Sequence, residues 1–217
     1  MTSGTEQRPG ARGWVPAGAG LDQLRSAAAD CQGCELHRDA GRTVFSSGSP
    51  TARLALVGEQ PGDAEDRAGA PFVGPAGQLL DRALAEAGVE RADVYVTNAV
   101  KHFRFTATPR RRLHQTPDLV HLTACRPWLV AELAVVDPEV VVCLGATATR
   151  ALLGPDVRVT RHRGMLFART ARHDDPGLVR AGWLLATVHP SAVLRADDRD
   201  AAYLGLVADL RTAVSAL

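Results

Sequence analysis

Residues 53–59 read RLALVGE and residues 140–145 read VVVCLG. Each is a short apolar run that ends at a glycine, and no polar residue alternates through it. A strand with one wet face alternates, so an unbroken run is the pattern of a strand covered on both faces, as in parallel sheets. Two further runs, VYVTNAV at 94–100 and WLLATV at 183–188, read the same way. Helical patterns lie around them at about 21–30, 76–87 (ending at Gly88), 118–136, 146–153 and 200–214. This alternation predicts an α/β fold of three layers, α/β/α, with a central four-stranded parallel sheet.

The chain of 217 residues is long enough for one substantial core, so a single domain is expected over 14–217, preceded by a flexible tail at 1–13 rich in Gly, Pro and Ala. Trp14 and Val15 are expected to tuck onto the body. Hydrophobic residues make up 46%, charged residues 23%, and the net charge is +1, so any nucleic-acid binding must come from a local patch and not from an overall basic field. No internal repeat is visible. No apolar run approaches the roughly 20 residues of a membrane span, and the N-terminus lacks the apolar segment of a signal peptide. A cytoplasmic protein without a membrane is expected, in which four cysteines are thiols or metal ligands and not disulfides.

Polar residues cluster just past the expected strand ends, where an open α/β sheet has its ligand crevice. Glu59, Gln60 and Asp63 follow the first strand in GEQPGDAED (58–66), Asn98 closes the second, and His189 follows the last in TVHPS (187–191). A plain turn explains the glycines and proline of GEQPG but not three polar side chains at the mouth of a sheet. Phe72 sits on a Gly- and Pro-flanked loop, GAPFVGPAG (69–77), where an aromatic ring is either core or a platform for a planar base.

Two further features are ambiguous by themselves. PRRRLHQTP (109–117) carries Arg110, Arg111, Arg112 and His114 in a Pro-bounded loop, ordinarily no more than hydrated surface. CQGC (31–34) pairs Cys31 with Cys34, and Cys125 lies far downstream. Zinc, a redox dithiol and an iron-sulfur cluster all use that spacing. The fourth ligand is either Cys143, inside an apparent core strand, or His102.

GEQPG, PFVGPAG, TNAVK, ACRPWL, LGATA and HPS, in this order, resemble the family 4 uracil-DNA glycosylases, and the resemblance covers about residues 14–213. Ordinary members have Ala at the place of Gln60 and Cys at the place of His102, and they lack the RRRLH insertion. These departures resemble the UdgX subgroup, whose basic loop ends in a histidine that becomes covalently joined to DNA. The resemblance implies a uracil-DNA glycosylase-like fold and a 4Fe-4S cluster on Cys31, Cys34, His102 and Cys125, with Cys143 as the alternative to His102. It further implies that the cluster pins the inserted loop at both flanks.

For the site, the resemblance implies that Phe72 stacks on an extruded uracil and that Asn98 donates to O4 and accepts from N3. His189 and backbone N–H groups of the Gln60 turn then face O2, Asp63 adds a substrate contact, and Glu59 faces the sugar. His114 takes the place of the attacking water, kept neutral by repulsion from Arg110, Arg111 and Arg112. The same arginines, with Ser191 and Arg195, hold phosphates. The partner is uracil-containing DNA, single- or double-stranded, the products are free uracil and a protein-DNA adduct, and the protein is a monomer. Two other readings stay open: a conventional glycosylase with turnover, and a non-catalytic nucleic-acid-binding module with a structural zinc.

Overall fold

The structure, a computed structural model, describes residues 10–169 and 182–217. Its main sheet has the strand order β1-β3-β2-β6-β8-β7. The four expected runs form the parallel centre: β2 (Leu54–Gly58), β3 (Val94–Asn98), β6 (Val140–Leu144) and β8 (Trp183–Thr187). The sheet has six strands, not four, because β1 (Ser46–Gly48) and β7 (Leu166–Ala168) add antiparallel edges. Both are three residues long, and β1 reads SSG, a composition that signals a turn and not a strand.

Alternation along the buried strands sends neighbouring side chains to opposite layers. Val57, Tyr95, Val141 and Cys143 meet α1 (Leu21–Ala28), α4 (Leu119–Val136) and α5 (Ala146–Leu153). Leu56, Val94, Val96 and Val142 meet α3 (Pro75–Glu86), α7 (Pro190–Leu194) and α8 (Arg199–Val214). Two short helices, α2 (Asp63–Ala68) and α6 (Val159–His162), are also present among the described residues. The five expected helices are all found, their ends differing from expectation by no more than a turn. By length and composition α4 is apolar enough to cross a membrane, and half of that stretch is buried inside the protein. Its apolarity answers to its place against the sheet and α1.

Two stretches depart from the expected outline. Residues 109–117 are not a simple loop: β4 (Phe105–Ala107) and β5 (Arg112–His114) form an antiparallel hairpin with Phe105 opposite His114, and Arg110 and Arg111 are exposed at its tip. The body already includes Gly10, ahead of the expected boundary at 14. Gly10 N donates to Gly33 O (3.0 Å), Ala11 N donates to Ala124 O (2.7 Å), and Ala11 is buried. The rest of the expected tail, 1–9, lies outside the described residues.

The chain crosses from β3 to β6 on the other side of β2, so the strand order reverses between β2 and β6. A crevice is expected at the carboxyl ends of such a pair. Cys143 lies in this central region, fully buried between Val57 and Ala186 of the flanking strands. Cys143→Ala removes one sulfur from a packed core, and should lower the unfolding free energy by about 1 kcal/mol or less, read from the denaturant midpoint.

Candidate active site

A cavity of about 520 Å³ opens at that reversal. It is lined by Glu59, Gln60, Phe72, Asn98, His114 and His189 together with Ser191 and Arg195, so residues from four distant parts of the sequence meet there. A larger groove of about 920 Å³ lies between α4 and α5, but none of these groups reaches it.

The depth of the cavity is built by close approach. A Cβ on Gly58 would stand 2.3 Å from Asn98 Oδ1 and 2.6 Å from Phe72 Cζ, so only glycine lets the amide and the ring converge over the end of β2. Phe72 has φ 57°, a backbone conformation costly for a side chain with a Cβ. Its carbonyl turns toward Gly77, where a Cβ would lie 1.8 Å from the oxygen. The Phe72 ring is buried in the core and also faces the cavity, stacked on His189 with centroids 5.8 Å apart. Asn98 Oδ1 is buried without a hydrogen-bond partner. An orphan acceptor of this kind costs free energy unless something brings it a donor.

His189 is the N-cap of α7, its Nδ1 accepting from Ser191 N at 3.1 Å. A nitrogen that accepts carries no proton, which leaves Nε2–H as the ring's donor. Burial holds the His189 pKa at about 4, with Arg195 and His114 acting in the same direction and Glu59 opposing them. Burial alone would raise Glu59, but hydrogen bonds from His114 and Thr147 and the charges of His114 and His189 outweigh it and hold the carboxyl below its usual range. Thr147 donates to Glu59 Oε2, and His114 Nε2 lies 3.3 Å from Glu59 Oε1.

The hairpin that carries His114 is clamped from two sides. Gln60 Nε2 donates to Arg104 O (3.2 Å) and Gln115 O (3.0 Å), and Gln60 Oε1 accepts from Arg104 N (2.9 Å). Arg112 donates to Asp63 Oδ1 (2.5 Å) and Asp66 Oδ2 (2.6 Å), with Phe105 packed on its guanidinium.

Gln60 lines the cavity, and its side chain also holds the hairpin through backbone groups on both flanks. Three other expectations are corrected. Asp63 is absent from the cavity lining and pairs with Arg112 and Arg67. Arg112 is a strut and not a phosphate contact, and the charged group beside His114 is the Glu59 carboxylate instead of an arginine. Arg110 and Arg111 stay exposed at the tip.

Sequence reading missed Thr147, which steadies Glu59, and Glu65, which accepts from Gly62 N (3.1 Å) and Gly74 N (2.8 Å) and so ties the two glycine loops together. The capping-box spacing of Gly62 and Glu65 was the one available signal for the latter.

The thiols lie behind this site. Cys31, Cys34 and Cys125 are buried. Trp128 Nε1 donates to Cys31 Sγ (3.2 Å) and Lys101 N to Cys125 Sγ (3.3 Å). Burial pushes the Cys125 thiol up to about 12, with Cys34 and Cys31 adding to the shift and Lys101 opposing it. Cys143 is raised to about 12 by burial alone, so it stands apart from the other three. His102 Nε2 is bonded to Thr43 Oγ1 at 2.9 Å. Among the described residues no three His, Cys, Asp or Glu side chains are arranged to hold a metal ion. The donor chemistry of three sequestered thiols, two of them already accepting N–H groups, nevertheless fits an iron-sulfur cluster.

A histidine that is neutral in the folded protein but protonated in the unfolded chain makes stability depend on pH. The unfolded chain takes up a proton near the ordinary value of about 6.5, whereas folded His189 takes it up near 4. The unfolded state thus binds more protons in between, and stability falls as pH drops through this window. His189→Asn, which keeps an oxygen to cap α7, should flatten the fall in melting temperature between pH 6.5 and pH 4.

Residues 45–211 match the sequence profile of the Uracil DNA glycosylase superfamily. The Type-4 uracil-DNA glycosylase of Thermotoga maritima is 37% identical over 171 residues, covering 76% of this chain and 78% of that protein. The Type-4 uracil-DNA glycosylase of Pyrobaculum aerophilum is 35% identical over 175 residues, 81% of this chain and 85% of that protein. The Type-5 uracil-DNA glycosylase of the same organism is 34% identical over 179 residues, 72% and 76%. With the profile spanning most of the chain, and with the strand-end cavity lying inside the matched region, the chain belongs to the uracil-DNA glycosylase superfamily.

Proposed function

We propose that the protein excises uracil from DNA and then joins itself, through His114, to C1′ of the abasic sugar. One contact carries this reading: His114 Nε2 lies 3.3 Å from Glu59 Oε1, at the rim of a cavity whose depth holds the unpartnered Asn98 Oδ1. Extruding a deoxyuridine costs a few kcal/mol, and the cavity repays it with groups matched to the base. Phe72 offers a face, Asn98 Oδ1 accepts from N3–H while its amide donates to O4, and His189 Nε2–H donates to O2. Electrostatic donors aimed at the departing anion are the main catalytic resource here.

As the C1′–N1 bond breaks, its electron pair leaves with uracil and positive charge develops on the sugar. Glu59 is ionised and faces that charge. Glu59 Oε1 takes the proton from His114 Nε2, and the electron pair this frees on Nε2 forms the C1′–Nε2 bond. Free uracil takes its proton from water. Arg110 and Arg111, exposed at the hairpin tip, and Arg195, at the cavity mouth, are the groups available to phosphates, whereas Ser191 Oγ is turned to His189 Nδ1 at 2.8 Å. The substrate is uracil-containing DNA, single- or double-stranded, and the protein acts as a monomer in the cytoplasm, a compartment that keeps cysteines as thiols or metal ligands.

Cys31, Cys34 and Cys125 would hold a 4Fe-4S cluster, with His102 as fourth ligand through Nδ1, since its Nε2 is engaged by Thr43. Such a cluster, when bound, supplies a cross-link among chain segments. Cys125 and His102 bracket the hairpin in sequence, so the cross-link would anchor both of its flanks.

Anaerobically purified protein should be brown and contain about four iron and four sulfide per chain. His102→Ala should lose iron and Cys143→Ala should keep it, whereas protein holding only zinc would favour a structural metal module. Wild-type protein mixed with a uracil oligonucleotide should give a band that survives hot detergent, in proportion to uracil released and never beyond one equivalent. His114→Ala should lose the band yet turn over, since Glu59, Asn98 and His189 remain and water can enter. A covalent band in His114→Ala, or many uracils released per wild-type molecule, would leave the conventional glycosylase as the answer.

A further inference from the structure

Lys101 is the sole lysine of the chain, and it is buried. Its ammonium donates to Glu132 Oε1, to Thr97 Oγ1 (2.5 Å) and to the backbone carbonyl of Asn98 (3.0 Å), with the Phe45 carbonyl a more distant acceptor at 3.5 Å. Glu132, fully buried on α4, also accepts from Tyr95 Oη (2.8 Å) and Thr97 Oγ1 (2.9 Å). A buried ion pair is poor evidence of a stabilising role, because an apolar pair of similar volume often serves stability as well or better. Its worth must then lie in what it holds in place.

What it holds is the end of β3. Asn98 pairs with Gly58 on the last rung of the β2–β3 ladder. Its Oδ1 has no hydrogen bond of its own, so the side chain is aimed by its backbone and lies in the room that Gly58 leaves open. Past the last rung, Lys101 Nζ holds the Asn98 carbonyl. Alternation along β3 puts Val94, Val96 and Asn98 toward α3, and Tyr95 and Thr97 toward α4. The ammonium, bonded to Thr97 and Glu132, lies on the α4 side of the sheet, opposite the face that Asn98 presents to the cavity.

We propose that Lys101, fixed by Glu132, is the positioning residue for base reading: it clamps the Asn98 carbonyl from behind the sheet and so aims the Asn98 amide at the base. This rests on the uracil-reading role given to Asn98 above. Lys101 touches neither base nor sugar, so it acts only through Asn98.

A sole lysine makes the test direct. Protein labelled with ¹⁵N-lysine gives a single ammonium resonance, which should shift when free uracil is added to saturation. It should stay in place when an oligonucleotide with a tetrahydrofuran abasic site, which has no base to read, is bound instead. In parallel, Lys101→Met/Glu132→Leu should fold, with an unchanged melting temperature. It should cut the single-turnover excision rate at saturating protein by about 100-fold, the scale of a misplaced reacting group. It should also weaken inhibition by free uracil while leaving affinity for the abasic-site oligonucleotide unchanged. An ammonium signal unmoved by saturating uracil, or a folded double variant with wild-type excision, overturns the proposal, and the resonance decides even if the double variant does not fold. Equal losses of rate and abasic-DNA affinity would mean a merely structural pair and overturn it too. Wild-type protein that releases no uracil removes the underlying reading of the site, whereas active wild type with an unresponsive lysine removes only this proposal.

Discussion

Asp66 is a buried carboxylate on which two distant chain segments converge. It accepts from Gly41 N (2.9 Å) and from Arg112 Nη1 (2.6 Å), and it rides on α2 directly behind the GEQPG turn. A carboxylate taken out of water costs several kcal/mol unless its lone pairs are filled. Arg112 fills them only if the hairpin lies against α2, so the demand of one acid for partners fixes where the hairpin sits. His114 is two residues from Arg112 on the same strand, and in an extended chain that spacing returns the side chain to the same face. The contact between His114 and Glu59 follows from this chain of requirements.

The site is therefore assembled from two kinds of support. Behind the cavity the backbone is set by the parallel ladder and by glycines that permit close approach, which is why Phe72 can persist at φ 57°. In front, the hairpin is held by side chains alone: Gln60 on its flanks and the two aspartates on Arg112. The first support comes from the core of the fold. The second is local, and polar residues that look like ligand contacts are spent on it.

That division explains what could be read from the sequence. The four central strands announce themselves because burial on both faces forces unbroken apolar runs, and the helices because their ends carry glycine or a capping residue. The edge strands do not, since three residues with one partner need no apolar pattern, and SSG looks like a turn. Glu59, Asn98 and His189 could be picked out as polar residues at strand ends, a position fixed by topology. Gln60 and Asp63 meet the same criterion but serve to hold a loop, and only distances separate the two uses. Thr147 and Glu132 gave no signal, each being one polar residue among several in its helix, with partners 88 and 31 residues away. For the hairpin, RRRLH carries no alternation, because Arg112 faces inward by virtue of aspartates far off in sequence.

The short outer strands have a further bearing. An open parallel sheet with long apolar edges is a template on which another chain can add a strand, and chains with such edges tend to coalesce. Here β1 and β7 run antiparallel to the centre and offer three residues each, so a foreign strand would find little ladder to extend on either side. Neither edge therefore offers a second copy of the chain a ladder long enough to pair on.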